Sequence, residues 1–239
     1  MLRRRAAALL VPLLLAGCDM ALLGGGDRVA TARDFPPADR PVAPTVSTKW
    51  STEEARDRVR EADQIMDAAA VAPGMTVADI GAGDGYYTVR LAQRVGARGR
   101  VLAQDIQPKV IDRLADRVAR ERLDNVSLKL GAVDDPRLPP NSFDRVFLVH
   151  MYHEIGEPYA FLWRLYPSLR EGGQVIVVDS DRPTGRHGIP LRLLVCEFES
   201  AGYRLVAFSE KKDVGAYFAR FTRAGPRPEP RDMKACKNG

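Results

Sequence analysis

Between Thr76 and about residue 201, short apolar runs rich in β-branched residues alternate with segments of helical periodicity. Such alternation marks a parallel sheet, because parallel neighbours need a crossover long enough to return across the sheet, usually a helix. Strands are expected at Thr76–Ile80, Arg100–Gln104, Val126–Leu130, Arg145–Val149 and Gln174–Asp179, with helices at about 85–95, 108–121, 157–169 and 190–201. In the second of these helices Val110, Ile111, Leu114 and Val118 form a stripe that should lie on the sheet. Ser51-Thr52-Glu53-Glu54 has the form of a capping box, and Ala55, Val59, Ala62, Ile65 and Met66 recur at helical spacing behind it, so a preceding helix should run to about Ala70. Gly202 suits a helix C-terminus, and Tyr203–Phe208 and Ala216–Phe221 should form a terminal hairpin.

The chemistry concentrates where the first strand ends. Val77-Ala78-Asp79-Ile80 runs into Gly81-Ala82-Gly83-Asp84-Gly85, three glycines that open a helix. Ligands of open parallel sheets bind beyond the carboxyl ends of the strands, and glycine there allows a close backbone approach. A dinucleotide loop would read Gly-x-Gly-x-x-Gly and seat a pyrophosphate on the helix N-terminus. This loop reads Gly-x-Gly-x-Gly, and Asp79 just before it would repel a phosphate and attract a cation. Asp105 closes the second strand, a position from which a carboxylate can accept from both ribose hydroxyls of a nucleoside.

Asp79-Ile80-Gly81-Ala82-Gly83-Asp84-Gly85 resembles motif I of the class I S-adenosylmethionine-dependent methyltransferases. The resemblance extends over about residues 51–222, through Ser142-Phe143-Asp144-Arg145-Val146, Leu169-Arg170-Glu171-Gly172-Gly173 and Ser200-Ala201-Gly202-Tyr203. It implies an α/β, three-layer Rossmann-like fold whose seven-stranded sheet is mostly parallel with an antiparallel last strand. It implies S-adenosylmethionine as cofactor, with Asp79 and the backbone of Gly81, Ala82, Gly83 and Gly85 at the aminoacyl end, Asp105 on the ribose, and Ile106 and His150 alongside. Many relatives carry an acid after the third strand that reaches the adenine amino group. Here Gly131 is followed by Ala132, so Asp134 is the favoured substitute, with Asp135 or backbone amides as alternatives.

Methyl transfer from a sulfonium is an in-line displacement, in which positioning supplies most of the catalysis. A hydroxyl or thiol acceptor must also lose a proton, and the segment after the fourth strand offers His150, Tyr152, His153 and Glu154. His153 is the first candidate for acid–base work and Tyr152 the second, set against a structural histidine held by hydrogen bonds. Asp179, Asp181 and His187 follow the fifth strand, but no ligand set of diagnostic local spacing occurs, and no metal is expected. Lysine and arginine (36) and acidic residues (31) are interleaved rather than blocked, and no base-stacking motif is present, so the acceptor should be a small molecule rather than a nucleic acid. A non-catalytic protein that retains a nucleoside or S-adenosylmethionine-like ligand is the alternative from another class. Aminopropyl transfer on the same fold is the enzymatic rival.

The ends of the chain carry other information. Arg3-Arg4-Arg5 precedes an apolar run from Ala6 to Leu15, too short to span a bilayer, which needs about 20 residues. Leu15-Ala16-Gly17-Cys18 resembles the lipobox of bacterial lipoproteins, which implies a signal peptide over residues 1–17 and a lipidated Cys18. Asp19 resembles an inner-membrane retention signal, so an exported protein anchored to the inner membrane and facing the periplasm is expected, or a cytoplasmic one if translation starts at Met20. Loss of the leader would lower the formal charge from +5 to +2. Residues 18–50, with Gly24-Gly25-Gly26 and Pro36, Pro37, Pro41 and Pro44, read as a flexible tether to a methyltransferase domain over 51–223. Residues 224–239 read as a disordered tail. Of the three cysteines, Cys196 is expected in the core and Cys236 exposed, with no disulfide required.

Overall fold

The computed structural model describes residues 30–45 and 51–238. The expected leader, Cys18, Asp19, Met20 and residues 21–29 and 46–50 of the expected tether lie outside the described residues. Seven strands form one sheet in the order β3-β2-β1-β4-β5-β7-β6: β1 Thr76–Ile80, β2 Arg100–Asp105, β3 Val126–Leu130, β4 Phe143–Val149, β5 Leu169–Asp179, β6 Tyr203–Lys211 and β7 Ala216–Arg223. All pairings among β1 to β5 are parallel, and β7 runs antiparallel between β5 and β6. Among the described residues six α-helices accompany them: α1 Glu53–Arg58, α2 Glu61–Ala68, α3 Tyr86–Val95, α4 Pro108–Arg120, α5 Pro158–Leu165 and α6 Leu191–Ser200.

The central strands are buried on both faces, which is why they read as continuous apolar runs. Val77, Phe147 and Ile176 pack with Ile65 of α2 and Leu91 of α3. Their neighbours Ala78, Val146 and Val175 point the other way, to Leu162 of α5 and Phe198 of α6. The sheet grows outward from β1 in two directions, towards β2 and towards β4, and the carboxyl ends of those three strands meet at the point where the order reverses. That crevice is where open α/β sheets bind ligands.

Three expectations need correction. The helix expected from Ser51 to Ala70 is two helices. Thr52 caps the first by accepting from the Ala55 amide at 3.2 Å, but Arg60 then takes a left-handed conformation (φ +52°), and the chain turns before α2. The break frees α1 to lie on α3 through ion pairs of Glu53 and Asp57 with Arg90, while Ala62, Ile65 and Met66 of α2 enter the core.

The expected tail is ordered. Cys236 is buried and forms a disulfide with Cys196, which is exposed on α6, the reverse of the expected placement. Ser200 Oγ donates to the Lys234 carbonyl and accepts from its amide, both at 2.8 Å, and Arg227 stacks on Trp163 at 3.4 Å. A crosslink across 40 residues restricts the unfolded chain by about 4 kcal/mol in the chain-entropy account.

Part of the expected tether is docked as well. Phe35 and Ala43 are buried, and the Arg40 guanidinium, its side chain fully enclosed, donates to Glu197 of α6 at 2.8 Å. Asp39 and Lys237 pair as an isolated parallel bridge, so the two terminal segments lie side by side on the domain. Proline-rich composition had suggested mobility, but Phe35 and Arg40 find complementary sites that composition does not show.

Candidate active site

A cavity of about 730 Å³ opens at the carboxyl ends of β1, β2 and β4, within the range of ~300–1,000 Å³ usual for small-molecule sites. Ile80, Asp105 and Val149, the last residues of those strands, line it together with Gly81, Ala82, Gly83 and Asp84. The glycine loop is tied to β2 on its far side. The Ala82 amide donates to the Gln104 carbonyl at 2.9 Å, and the Gly83 amide to Asp105 Oδ2 at 3.2 Å. Asp105 Oδ1 accepts from the Gln107 amide at 3.0 Å, so a buried carboxylate clamps the loop to the start of α4 while facing the cavity.

Gly83 has φ +55° and belongs to the lining. Gly85 does not line the cavity. Its φ is +87°, and a Cβ there would sit 2.5 Å from Leu114 Cδ1, so this glycine lets α3 pack against α4.

Asp79 also lies behind the wall rather than in it. It is 3% exposed and accepts from the Thr88 hydroxyl at 2.6 Å. Burial pushes its carboxyl up to about 6, and the Thr88 hydrogen bond only partly offsets this. In the window between pH ~4 and ~6 the folded protein therefore holds a proton that the unfolded chain has lost, and stability falls as pH rises through it. A shift of that size corresponds to about 3 kcal/mol. Asp79→Asn keeps an acceptor for Thr88 and removes the charge, so its melting temperature should draw level with the wild type near pH 4 and exceed it by a growing margin up to pH 7. A margin independent of pH would contradict the buried charge.

Helix α1 roofs the cavity with Glu53 and Arg56, a role that no spacing in the sequence announced. Arg56 pairs with Glu61 at 2.7 and 3.0 Å and lies 3.8 Å from the Tyr86 ring. Glu61 is buried, yet contacts with His150 and Arg56 outweigh that burial and hold its carboxyl down to about 2. His150 Nε2 is 3.4 Å from Glu61 Oε1, and the histidine backbone is left-handed (φ +53°) at the cavity edge. Ile106, 39% exposed, and Val133, 65% exposed, present apolar surface at the other end. Asp134 is not part of the lining; Arg164 takes its carboxylate in an ion pair.

On the remaining wall are Val42, Met151, Ile155 and Phe161 with His153 and Glu154. Tyr152, expected as a catalytic candidate, is wholly buried and absent from the lining, and its hydroxyl donates to Glu197 Oε2 at 2.8 Å. Burial and the Glu197 charge push its phenol well above the usual range, so it is a packing residue. His153 does reach the cavity. Its Nδ1 stands 2.9 Å from both oxygens of Asp179, the geometry of an Nδ1–H donated to a carboxylate, which directs Nε2 to other partners. The structure also gathers His153, Glu154 and His187, a group that local spacing did not reveal because His187 arrives from another loop.

The Methyltransferase domain family model matches residues 77–173, from β1 into β5. An arsenite methyltransferase from Halobacterium salinarum is 32% identical over 111 residues, 46% of this chain and 28% of the relative. A ubiquinone/menaquinone biosynthesis C-methyltransferase from Hydrogenovibrio crunogenus is 30% identical over 126 residues, 50% of this chain and 47% of the relative. The chain thus spans under half the length of these two curated relatives. The crystal structure of a SAM-dependent methyltransferase from Aquifex aeolicus shares the fold, with a TM-score of 0.64, 24% identity, and coverage of 70% of this chain and 92% of the other.

Proposed function

We propose that the protein transfers a methyl group from S-adenosylmethionine to a small, partly apolar acceptor that carries a protic group. The observation that carries this reading is Asp105, a buried carboxylate facing a nucleoside-sized cavity at the end of β2 while it clamps the glycine loop. In this arrangement Asp105 accepts from the ribose hydroxyls, and the adenine lies between Ile106 and Val133. The aminoacyl end lies along Gly81–Gly83 towards Arg56, the single arginine among the described lining residues. Asp79 supports the loop from behind.

The acceptor then enters by Val42, Met151, Ile155 and Phe161, which supply apolar contact, with His153 beside them to receive a proton. Asp179 would stabilise the imidazolium that forms. The arsenite activity named for one relative is not carried over. Thiolates are the favoured ligands of arsenic(III), and the two described cysteines are joined in a disulfide outside the cavity lining.

The reading includes export and a lipid anchor at Cys18. A disulfide between Cys196 and Cys236 supports it, since such bonds persist in oxidising compartments and are rare in the cytosol. Intact-mass measurement of the native protein should find acyl mass on an N-terminal Cys18, and a chain beginning at Met20 without lipid would overturn the export reading. Asp105→Ala should weaken S-adenosylmethionine about 10- to 100-fold by calorimetry, the loss of roughly 1–3 kcal/mol of charge-assisted hydrogen bonding. Unchanged affinity would remove Asp105 from the site.

A further inference from the structure

The two 3-10 turns at Tyr152–Glu154 and Thr184–Arg186 converge on the acceptor wall. There His153, Glu154 and His187 each bring a ligand-capable atom within 4.8 Å of the others. The rings of His153 and His187 meet edge to face with centroids 5.5 Å apart. Nδ1 of His187 is buried and has no hydrogen-bond partner among the described residues. We propose that these three residues bind a divalent first-row transition metal, such as zinc, and that Asp179 orients the site.

Two imidazoles and a carboxylate are the donor set of open metal sites, which keep further positions for water or substrate. Ligating histidines characteristically donate their second N–H to a carboxylate, which fixes the ring and raises its basicity. His153 already has that arrangement, with Nδ1 engaged by Asp179 at 0% side-chain exposure, so Nε2 is its ligand atom. Bonds of about 2.0–2.2 Å to a common ion place ligand atoms roughly 3–3.5 Å apart, so side-chain rotations of about an ångström close the present spread. His187 is held for such a role. Its backbone is left-handed (φ +55°), a conformation costly for a residue with a Cβ, and Arg182 Nε donates to its carbonyl at 3.0 Å.

Because His153 and Glu154 line the cavity, the open positions face it. On the methyltransferase reading, on which this step rests, the ion takes the acceptor. In the metal-loaded site the ion replaces His153 as the group that activates the acceptor, since Nε2 is then a ligand: coordination lowers the pKa of a hydroxyl or thiol, and its proton leaves to solvent. The lone pair so exposed bonds to the methyl carbon as the carbon–sulfur bond breaks, leaving a neutral thioether.

The test uses the full chain, free of any affinity tag and stripped by chelator. Titration with zinc alone should show one equivalent bound, and cobalt(II) should give visible absorption from nitrogen and oxygen ligation. His187→Ala should lose at least 100-fold in zinc affinity together with the cobalt spectrum, and Asp179→Asn should lose about 10- to 100-fold. Circular dichroism and melting report whether each variant folds, and Glu154→Gln replaces His187→Ala if that variant does not. Failure to bind one equivalent, or binding unchanged by these substitutions, would overturn the metal site. S-adenosylmethionine is titrated separately, so a chain that binds zinc here but no S-adenosylmethionine keeps the metal site and loses the methyl-transfer reading.

Discussion

Replacing Glu197 by alanine should destabilise the protein by about 3–5 kcal/mol, the usual consequence of removing one partner from a buried ion pair. Glu197 and Arg40 have side-chain exposures of 1% and 0%, and each Glu197 oxygen has a partner, Arg40 Nε on one and the Tyr152 hydroxyl on the other, both at 2.8 Å. The variant strands a guanidinium and a phenol in the interior. For a chain of this size the melting temperature should fall by roughly 6–20 °C. Arg40 also donates to the carbonyls of His153 and Ile155, so its displacement loosens that wall of the cavity. The double variant Arg40→Ala/Glu197→Ala should be little worse than either single one, because the stranded charge is gone. Additive losses would show that the two side chains are not coupled.

Gly83→Val should raise the Kd for S-adenosylmethionine by more than 100-fold while the domain stays folded. Two costs combine at this position. The backbone lies at φ +55°, where a β-branched residue is a genuine outlier and strain of about 1–3 kcal/mol follows. Gly83 also lines the cavity and donates its amide to Asp105, so relief of that strain by backbone rotation breaks the clamp on the carboxylate. Circular dichroism and a binding titration are read together. A folded variant of normal affinity would mean that the ligand does not use this loop.

Strand-ending motifs were legible because period and punctuation are local. Val77 to Gly85 announced a buried strand and a glycine turn, and the structure sets that turn and Asp105, at the end of β2, on the cavity wall. What stayed hidden depends on long-range pairing. Arg40 meets Glu197 across 157 residues, and His187 joins His153 from a separate loop, so neither contact has a signature in spacing. The roof formed by α1 was hidden for the same reason, since Glu53 pairs with Arg90 and Arg117 far along the chain. Asp79 and Tyr152 misled in another way. Each has the right chemistry beside the right motif, but strand and turn geometry point Asp79 at Thr88 and Tyr152 at Glu197, both behind the cavity wall.

The most direct measurement is a calorimetric titration of the full chain with S-adenosylmethionine at neutral pH. One molecule should bind per chain, in competition with S-adenosylhomocysteine and with the weakening at Asp105→Ala described above. Absence of saturable binding by a folded protein, or binding indifferent to both Asp105→Ala and Gly83→Val, would contradict the assignment of this cavity.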